Sequence, residues 1–314
     1  MPGTGKWRRR QFRQRALAFL VLGALVVGAY LLGRTHGDLR QARQALYSDH
    51  ESDTLIPHLF VPELGVDFKR WSPDGPSPDR PWVAIIIDDF GQTPSLKIAP
   101  EFLKLPFPVT ISVIPDNPRS AAVAKLAREA GSELFIHLPM EPEKRVSMAE
   151  RDMVLTGMSA ADLKRILDRA TADVAGAVGL NNHMGSRATA NEALMRELAT
   201  ELKQRGLLFV DSRTGYASCA YRVMTGEGVP ALWRDVFLDN ERDTTHIARQ
   251  IATLARVART RGWAIGVGHS HPQTLAMLKR LMPQIIVDGI KMATVSELVA
   301  KIGAMRQEAL AAGE

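Results

Sequence analysis

From residue 81 onward, the chain repeats one pattern: a short apolar run, then a polar cluster, then an amphipathic stretch. The apolar runs are continuous and rich in β-branched residues, which is typical of strands in a parallel sheet covered on both faces. A weaker eighth run covers residues 285–287. The seven clear runs are residues 83–87, 109–114, 133–138, 177–180, 207–210, 235–238 and 264–267.

Helical stretches separate the runs, with apolar residues three and four positions apart. Residues 159–174 open with a Ser159 cap and Asp162 three residues later, the pattern of a capping box. Three other stretches, residues 119–131, 191–206 and 243–262, end on glycine. Alternating strands and helices allow a β/α barrel or an open doubly wound sheet. No Gly-x-Gly-x-x-Gly turn follows the first run, so we predict an α/β barrel of seven or eight parallel strands.

The first 80 residues predict a membrane anchor and a linker. Residues 1–15 hold six basic residues and no acidic one, as expected of a cytoplasmic tail. Residues 16–32 are free of charge and are long enough for a short transmembrane helix. Residues 33–80, which end in the proline-rich "WSPDGPSPDR", form the predicted linker, and residues 81–314 the folded domain. We expect a single-pass inner-membrane protein with a periplasmic domain; the alternative is secretion after cleavage of a signal peptide.

Net charge and cysteine content say little about which molecules the protein binds. The net charge of +6 owes much to the basic N-terminus, so it does not indicate nucleic-acid binding. Cys219 is the only cysteine, and no internal disulfide can therefore form.

Polar, chemically capable residues follow seven of the predicted strands. In a β/α barrel, the carboxyl ends of all strands face one mouth, where active sites are built. We therefore predict that these residues converge on a shared functional site. They are Asp88 and Asp89, Asp116 and Asn117, His137, Asn181 with Asn182 and His183, Asp211 and Ser212, Asp239 and Asn240, and His269 with His271.

The adjacent carboxylates of Asp88 and Asp89 indicate two different roles. Like charges repel, and a divalent metal on one carboxylate would compensate while leaving the other free to act as a base. His137 and His183 are candidate ligands, since histidine and carboxylate ligands with an open position are a common plan for catalytic zinc. One of the two histidines in "GVGHSHP" could serve as a general acid.

Six motifs resemble, in order and spacing, those of the divergent polysaccharide deacetylase family, a branch of the NodB-type carbohydrate esterases. They are "IIIDDFG", "FPVTISVIP", "HLPMEP", "NNHMGS", "DSRT" and "GVGHSHPQTL", and the resemblance covers roughly residues 81–300. It implies a distorted β/α barrel, a divalent metal with zinc favoured, and a carbohydrate substrate.

The resemblance also implies roles for individual residues. Asp88 would be the catalytic base and Asp89 a metal ligand, while His269 or His271 would supply the catalytic acid. The parent enzymes take two metal histidines from a His-x-x-x-His motif, but here Glu141 occupies the second place after His137. Either Glu141 substitutes, or His183 completes the site.

The remaining polar side chains near the mouth are candidate substrate contacts: Glu141, Asn182, Asp211, Arg213 and Asp239. The parents' Arg-x-Pro-Tyr motif is absent, and the sequence leaves Arg187 and Arg213 open as replacements.

Together these features predict a metal-dependent hydrolase that removes acetyl groups from an N-acetylated envelope glycan. The missing parent motifs favour an alternative, a glycan-binding envelope protein on the same fold with little or no turnover. A hydrolase acting on another ester or amide is the third possibility.

Overall fold

Parallel strands alternate with helices along the part of the chain that the computed structural model describes, residues 80–92, 95–144 and 153–311. The strands are β1 (Trp82–Phe90), β2 (Thr110–Val113), β3 (Leu134–Met140), β4 (Gly179–Met184), β5 (Leu208–Asp211), β6 (Ala231–Trp233), β7 (Val236–Phe237), β8 (Trp263–His269) and β9 (Lys291–Ala293). The helices are α1 (Ser95–Leu103), α2 (Ser120–Glu129), α3 (Ala160–Asp173), α4 (Glu192–Arg205), α5 (Ala220–Gly226), α6 (Thr244–Arg261), α7 (Pro272–Val287) and α8 (Val295–Ala311), with a 3-10 turn at Ala188–Ala190.

The strands form one curled sheet in the order β6-β5-β4-β3-β2-β1-β8-β7, and β9 pairs with residues 82–84 of β1, on the edge of β1 that β2 occupies farther along the strand. Every pairing recorded among these strands is parallel. β6 and β7 lie at the two ends of the order, so the sheet is a half-barrel rather than a ring closed by hydrogen bonds. The predicted parallel α/β architecture is confirmed in this open form.

The apolar runs make the core because helices cover the sheet. In β1, residues 83–87 have at most 1% of their surface exposed. The helix signals in the sequence also hold. Ser159 accepts a hydrogen bond from the backbone N–H of Asp162, and Gly206 and Gly262 end their helices in the left-handed conformation.

Two details of the predicted element order are wrong. Residues 285–287 continue α7 and form no eighth strand; Ile285 and Ile286 pack against the core, whereas Val287 is 79% exposed. β6 and β9 were not predicted, because three residues are too few to show a period.

The predicted tail, anchor and linker lie outside the described residues. Within the described part, no helix has the length and apolar character needed to cross a membrane.

Candidate metal centre and active site

A bulge at the end of β1 brings both aspartates to the same site. Ile87 pairs with Ile111 and Phe90 with Val113, so three steps along β1 oppose two along β2. Asp89, inside this irregularity, has a φ of 63°. Neighbouring side chains on a regular strand point to opposite faces, and the bulge removes that constraint. Asp88 is therefore buried inside the sheet while the carboxylate of Asp89 also reaches the histidines.

Other strands also end in left-handed backbone. Besides Asp89, the non-glycine residues with positive φ in the described part are Asp116, Met184 and Arg213. Each ends a strand or lies just beyond one, where the chain turns from the sheet into a loop. Such conformations cost about 1–3 kcal/mol each and cluster at functional sites.

Asp89, His137 and His183 place one ligand atom each around a common point. Asp89 Oδ1 lies 3.4 Å from His137 Nε2 and 3.2 Å from His183 Nδ1, and the two nitrogens are 3.0 Å apart. Zinc bonds of 2.0–2.1 Å in a tetrahedron require ligand atoms about 3.3 Å apart. Asp89 Oδ1 is buried without a hydrogen-bond partner among the described residues, which a cation would satisfy. The three residues therefore fit a divalent metal of the zinc type.

The two aspartates differ in their acidity. Burial raises the pKa of Asp88, and the nearby rings of His137 and His269 only partly offset it. Burial acts on Asp89 in the same direction, but His137 and His183 together hold the pKa of Asp89 well below its usual range. Asp89 is thus ionised, as a metal ligand must be, whereas Asp88 has the higher affinity for a proton that a general base needs.

The half-buried His269 and the buried Asp239 form a hydrogen-bonded pair beside the aspartates. His269 lies opposite Asp88 in the β1–β8 register, so both side chains are on the same face of the sheet. The His269 Nδ1–H and backbone N–H each contact the Asp239 carboxylate at 2.7 Å, and the Thr274 hydroxyl donates to it as well. Burial lowers the pKa of His269, but Asp239 outweighs it and raises the pKa to about 9. The imidazolium can therefore donate a proton at neutral pH.

His271 lies at the edge of this arrangement. Its ring stacks on that of His269 with centroids 5.8 Å apart, and burial lowers its pKa. Of the two predicted acids, His269 has the carboxylate partner and the elevated pKa that the role needs.

Glu141 does not join the metal cluster. Its carboxylate accepts hydrogen bonds from the backbone and hydroxyl of Thr156 and lies 3.5 Å from Arg187 Nε. Burial opposes ionisation of Glu141, but these groups lower its pKa. The geometry therefore groups His183, and not Glu141, with Asp89 and His137 as residues that could hold a metal ion.

Three predicted substrate contacts are engaged within the protein. Asn182 accepts from the Ser212 N–H and donates to the Met184 carbonyl. Asp211 accepts from the Arg213 N–H and the Ser218 hydroxyl, and Asp239 holds His269. We therefore interpret Asn182, Asp211 and Asp239 as supports of the site rather than substrate contacts.

The arginines that the sequence left open lie elsewhere. The Arg213 guanidinium is over the Trp233 ring, 4.7 Å from its centroid, and Arg187 faces Glu141. Burial lowers the pKa of Arg213. No described arginine pairs with Asp88; its carboxylate instead accepts from Asn181.

The sequence analysis placed Asn181 among the strand-end residues of the shared site but gave it no catalytic, metal-binding or substrate-binding role, although one signal pointed to such a role. It stands two residues before His183 on a strand, and side chains two apart lie on one face. Of its partners, Ser212 directly follows β5 and was among the predicted strand-end residues, whereas Ser112 lies within β2 and has no comparable signal in the sequence.

The family follows from comparison with known proteins. Residues 85–299 match the family model of the divergent polysaccharide deacetylases, and the chain belongs to this family. An uncharacterized protein of Haemophilus influenzae is 37% identical over 197 residues, which are 63% of this chain and 69% of that protein. The uncharacterized protein YibQ of Escherichia coli is 36% identical over 200 residues, 64% of this chain and 62% of its own length.

A solved structure shares the fold. The crystal structure of an uncharacterized protein from Agrobacterium tumefaciens superposes with a TM-score of 0.66 at 24% identity, covering 74% of this chain and 94% of the other.

Proposed function

We propose that this protein is a metal-dependent hydrolase that removes acetyl groups from an N-acetylated glycan of the cell envelope. One observation carries the proposal: on a deacetylase-family fold, the ligand atoms of Asp89, His137 and His183 lie 3.0–3.4 Å apart beside a buried carboxylate and a charged histidine. This combination is what amide hydrolysis at a metal centre requires.

Asp89, His137 and His183 would hold the metal, and zinc suits two imidazoles with one carboxylate. When bound, such an ion supplies a Lewis acid that polarises the acetamide carbonyl and favours ionisation of water. Asp89, already ionised, balances part of the ion's charge.

The chain's own residues provide the proton transfers. Asp88 takes a proton from the water whose oxygen adds to the acetamide carbon, and its raised pKa favours that step. His269 gives its Nε2 proton to the sugar nitrogen as the C–N bond breaks, while Asp239 holds the opposite side of the ring. The products are acetate and an amino sugar, with one water consumed.

The location in the envelope is proposed from the N-terminal pattern. A basic stretch before residues 16–32 would leave the tail in the cytoplasm and place the deacetylase domain in the periplasm of a membrane-anchored protein. Envelope glycans rich in N-acetylated sugars are the substrates available there to a tethered domain.

Release of acetate tests the proposal directly. The full chain in detergent would be incubated with chitooligosaccharides and with peptidoglycan fragments, after chelation and after addition of zinc. We expect zinc-dependent acetate release that Asp88→Asn reduces about a hundredfold or more. Saturable glycan binding without any acetate release would replace the hydrolase with the glycan-binding alternative.

A further inference from the structure

We propose that Asn181 is a positioning residue that fixes the catalytic base Asp88 and the metal ligand His137 at the same time. The inference rests on the proposed function and goes beyond it, because it assigns one buried amide to both halves of the site. Asn181 is fully buried, and both its NH₂ group and its carbonyl oxygen contact protein side chains, so it would act through the residues it holds.

Asn181 occupies the position in the sheet from which both residues are reachable. It lies on β4, directly opposite His137 on β3 in the register, and its surface is fully buried. Its Nδ2 lies 3.0 Å from each carboxylate oxygen of Asp88 and 3.3 Å from the hydroxyl of Ser212. Its Oδ1 lies 2.6 Å from the Ser112 hydroxyl and 3.2 Å from His137 Nδ1.

These contacts determine which way the amide faces. A carboxylate can only accept hydrogen bonds, so the NH₂ group of Asn181 must face Asp88. The carbonyl oxygen then faces His137 and can only accept, which requires a proton on His137 Nδ1. A reversed amide would place an oxygen against the Asp88 carboxylate and an NH₂ group against the imidazole N–H.

The proton on Nδ1 leaves His137 Nε2 as the basic nitrogen. This is the atom that lies 3.4 Å from Asp89 Oδ1 and 3.0 Å from His183 Nδ1, where the metal would bind. Groups that orient metal-bound histidines through the opposite ring nitrogen typically change metal affinity 10–100-fold. Asn181 therefore selects the tautomer that can act as a ligand.

The NH₂ group of Asn181 orients the carboxylate of Asp88, and burial raises the pKa of that carboxyl more than this NH₂ group lowers it. Asn181 is a neutral donor, whereas a cationic partner would lower the affinity of Asp88 for a proton more strongly. Contacts to both carboxylate oxygens fix the rotation of the carboxyl group. The two contacts share one rigid planar group, so a shift of Asn181 disturbs base and ligand together.

Two substitutions of Asn181 distinguish the contact of its NH₂ group with Asp88 from the contact of its carbonyl oxygen with His137; these two contacts are called its two arms. Asn181→Asp keeps an oxygen that accepts from His137 but places a second oxygen against Asp88, where the two carboxyl groups repel or share a proton. Asn181→Leu has a similar volume and removes both arms. Ser112→Ala is the matched control, since it removes a neighbour of the same oxygen and leaves both arms in place.

The readouts include two that do not depend on turnover. The tautomer of His137 would be read from imidazole ¹⁵N shifts of the metal-free full chain, and zinc affinity from competition with a chromophoric chelator. For Asn181→Leu we expect loss of the Nδ1–H preference and a fall in zinc affinity of about 10–100-fold. For Asn181→Asp we expect the wild-type tautomer, zinc affinity within a few-fold, and acetate release lowered about a hundredfold. Ser112→Ala should stay near the wild type in all three.

Each arm has its own contradicting result. If Asn181→Leu left the His137 tautomer and the zinc affinity unchanged, Asn181 would not position His137. If Asn181→Asp released acetate at the wild-type rate, Asn181 would not position Asp88. If the wild type releases no acetate, the proposed function fails separately, and the tautomer and zinc affinity still decide whether Asn181 positions His137. If Asn181→Leu does not fold, the tautomer of His137 in Asn181→Asp decides the same question. This variant keeps the oxygen that accepts from His137 Nδ1–H, so loss of the Nδ1–H preference in Asn181→Asp would contradict the proposed role of that oxygen.

Discussion

At the scale of single residues, the adjacent aspartates differ because each faces different neighbours. Asp88 is held by a neutral amide in the interior, whereas Asp89 has a buried oxygen that faces two imidazole nitrogens and no hydrogen-bond donor in the described part of the chain. The like charges are tolerated because burial favours the protonated form of Asp88 and the histidines favour the ionised form of Asp89.

Substituting the two aspartates one at a time should separate metal binding from turnover. In Asp89→Asn, loss of a charged ligand should remove zinc and acetate release together. In Asp88→Asn, the cluster is intact, so zinc should remain while turnover falls about a hundredfold or more. Zinc content and acetate release of both proteins, measured side by side, check this. Loss of zinc from Asp88→Asn would contradict the division of roles.

Asp239→Asn should move the alkaline limit of activity. A general acid works only when protonated, so wild-type activity should fall as the pH rises through about 9, the pKa of His269. Without the Asp239 carboxylate, only Asp88 and Asp89 oppose the effect of burial on the ring, so the pKa of His269 is lower than in the wild type and the fall should begin at lower pH. Profiles of kcat/KM against pH for both proteins measure the shift, and an unmoved alkaline limb would exclude His269 as the acid.

The same pair links stability to pH. The folded-state pKa of His269 is about 9 against an ordinary value of 6.5, so folding favours the protonated ring. This stabilisation is fully present below pH 6.5 and is lost as the pH rises through about 9. In Asp239→Asn, the urea midpoint of unfolding should decline less at alkaline pH than in the wild type, because only Asp88 and Asp89 then raise the pKa of His269.

Single residues could be predicted only where the sequence places them at strand ends. Asp88, Asp89, His137, His183 and His269 all follow apolar runs, and the structure brings them together. The supporting contacts of Asn181 and Asp239 join residues 93 and 30 positions apart. Such pairs depend on sheet register, which the apolar pattern does not specify to one residue.

At the scale of elements, the bulge in β1 and the turn after it determine where the aspartates point. Gly91 begins that turn with a φ of 114°, and a Cβ there would lie 2.6 Å from Ser120 Oγ and 2.7 Å from the Ile114 carbonyl oxygen. The position therefore needs glycine for both its backbone conformation and its space.

Gly91→Ala should thus disturb both stability and metal binding. We expect a loss of about 1–3 kcal/mol in the free energy of unfolding, from strain at positive φ and the backbone clash, together with weaker zinc binding. Gly206→Ala is the control: its φ is also positive, at 66°, but nothing lies within 4 Å of the added Cβ. Its cost should be about 1 kcal/mol, with zinc affinity unchanged. If Gly91→Ala and Gly206→Ala changed zinc affinity equally, the turn at Gly91 would have no specific role in positioning the metal ligands.

Helices and strands could be predicted from the sequence where they are long enough for the spacing of their apolar residues to be recognised. The helices that begin at Ala160, Glu192 and Thr244 carry caps and glycine stops or a capping box, and their bounds agree with the sequence pattern within a residue or two. The bulge was not predictable, since a strand of apolar residues gives no sign of where the register shifts.

At the scale of the whole molecule, the chain itself joins the two ends of the sheet. Only Arg234 and Asp235 separate β6 from β7, their backbone N–H groups donate to the carbonyls of Asp211 and Ile265, and aromatic side chains pack beside this junction. Trp233 of β6 packs edge-on against Trp263 of β8, with ring centroids 5.3 Å apart, and Tyr221 packs on the other side of Trp233. The Arg261 guanidinium lies over Trp263 and pairs with Asp235. These contacts explain how a half-barrel can hold His269 near the residues of β1 to β4.

The orientation in the membrane is predicted from the sequence pattern of the first 32 residues. Protease added to spheroplasts should digest the folded domain of residues 81–314, because the basic tail would remain in the cytoplasm. The control is a variant in which the six basic residues of the tail are replaced by glutamine, which should weaken the orientation signal. Protection of the wild-type domain in intact spheroplasts, followed by digestion after lysis, would contradict a periplasmic domain.

Zinc should stabilise the whole fold through mass action. Its proposed ligands come from β1, β3 and β4, so an unfolded chain cannot present them together. At free zinc a hundredfold above the dissociation constant, the gain is about 2.7 kcal/mol. For a domain of this size, that raises the melting temperature by roughly 5–11 °C.

Matched variants make the melting experiment specific to the proposed ligands. His183→Ala should abolish the zinc-dependent shift, whereas Glu141→Gln should retain it, because Glu141 contacts Thr156 and Arg187 and not the cluster. Scanning calorimetry with and without zinc measures all three proteins under one set of conditions. An undiminished shift in His183→Ala would remove that residue from the site, and its loss in Glu141→Gln would restore Glu141 as the substitute ligand.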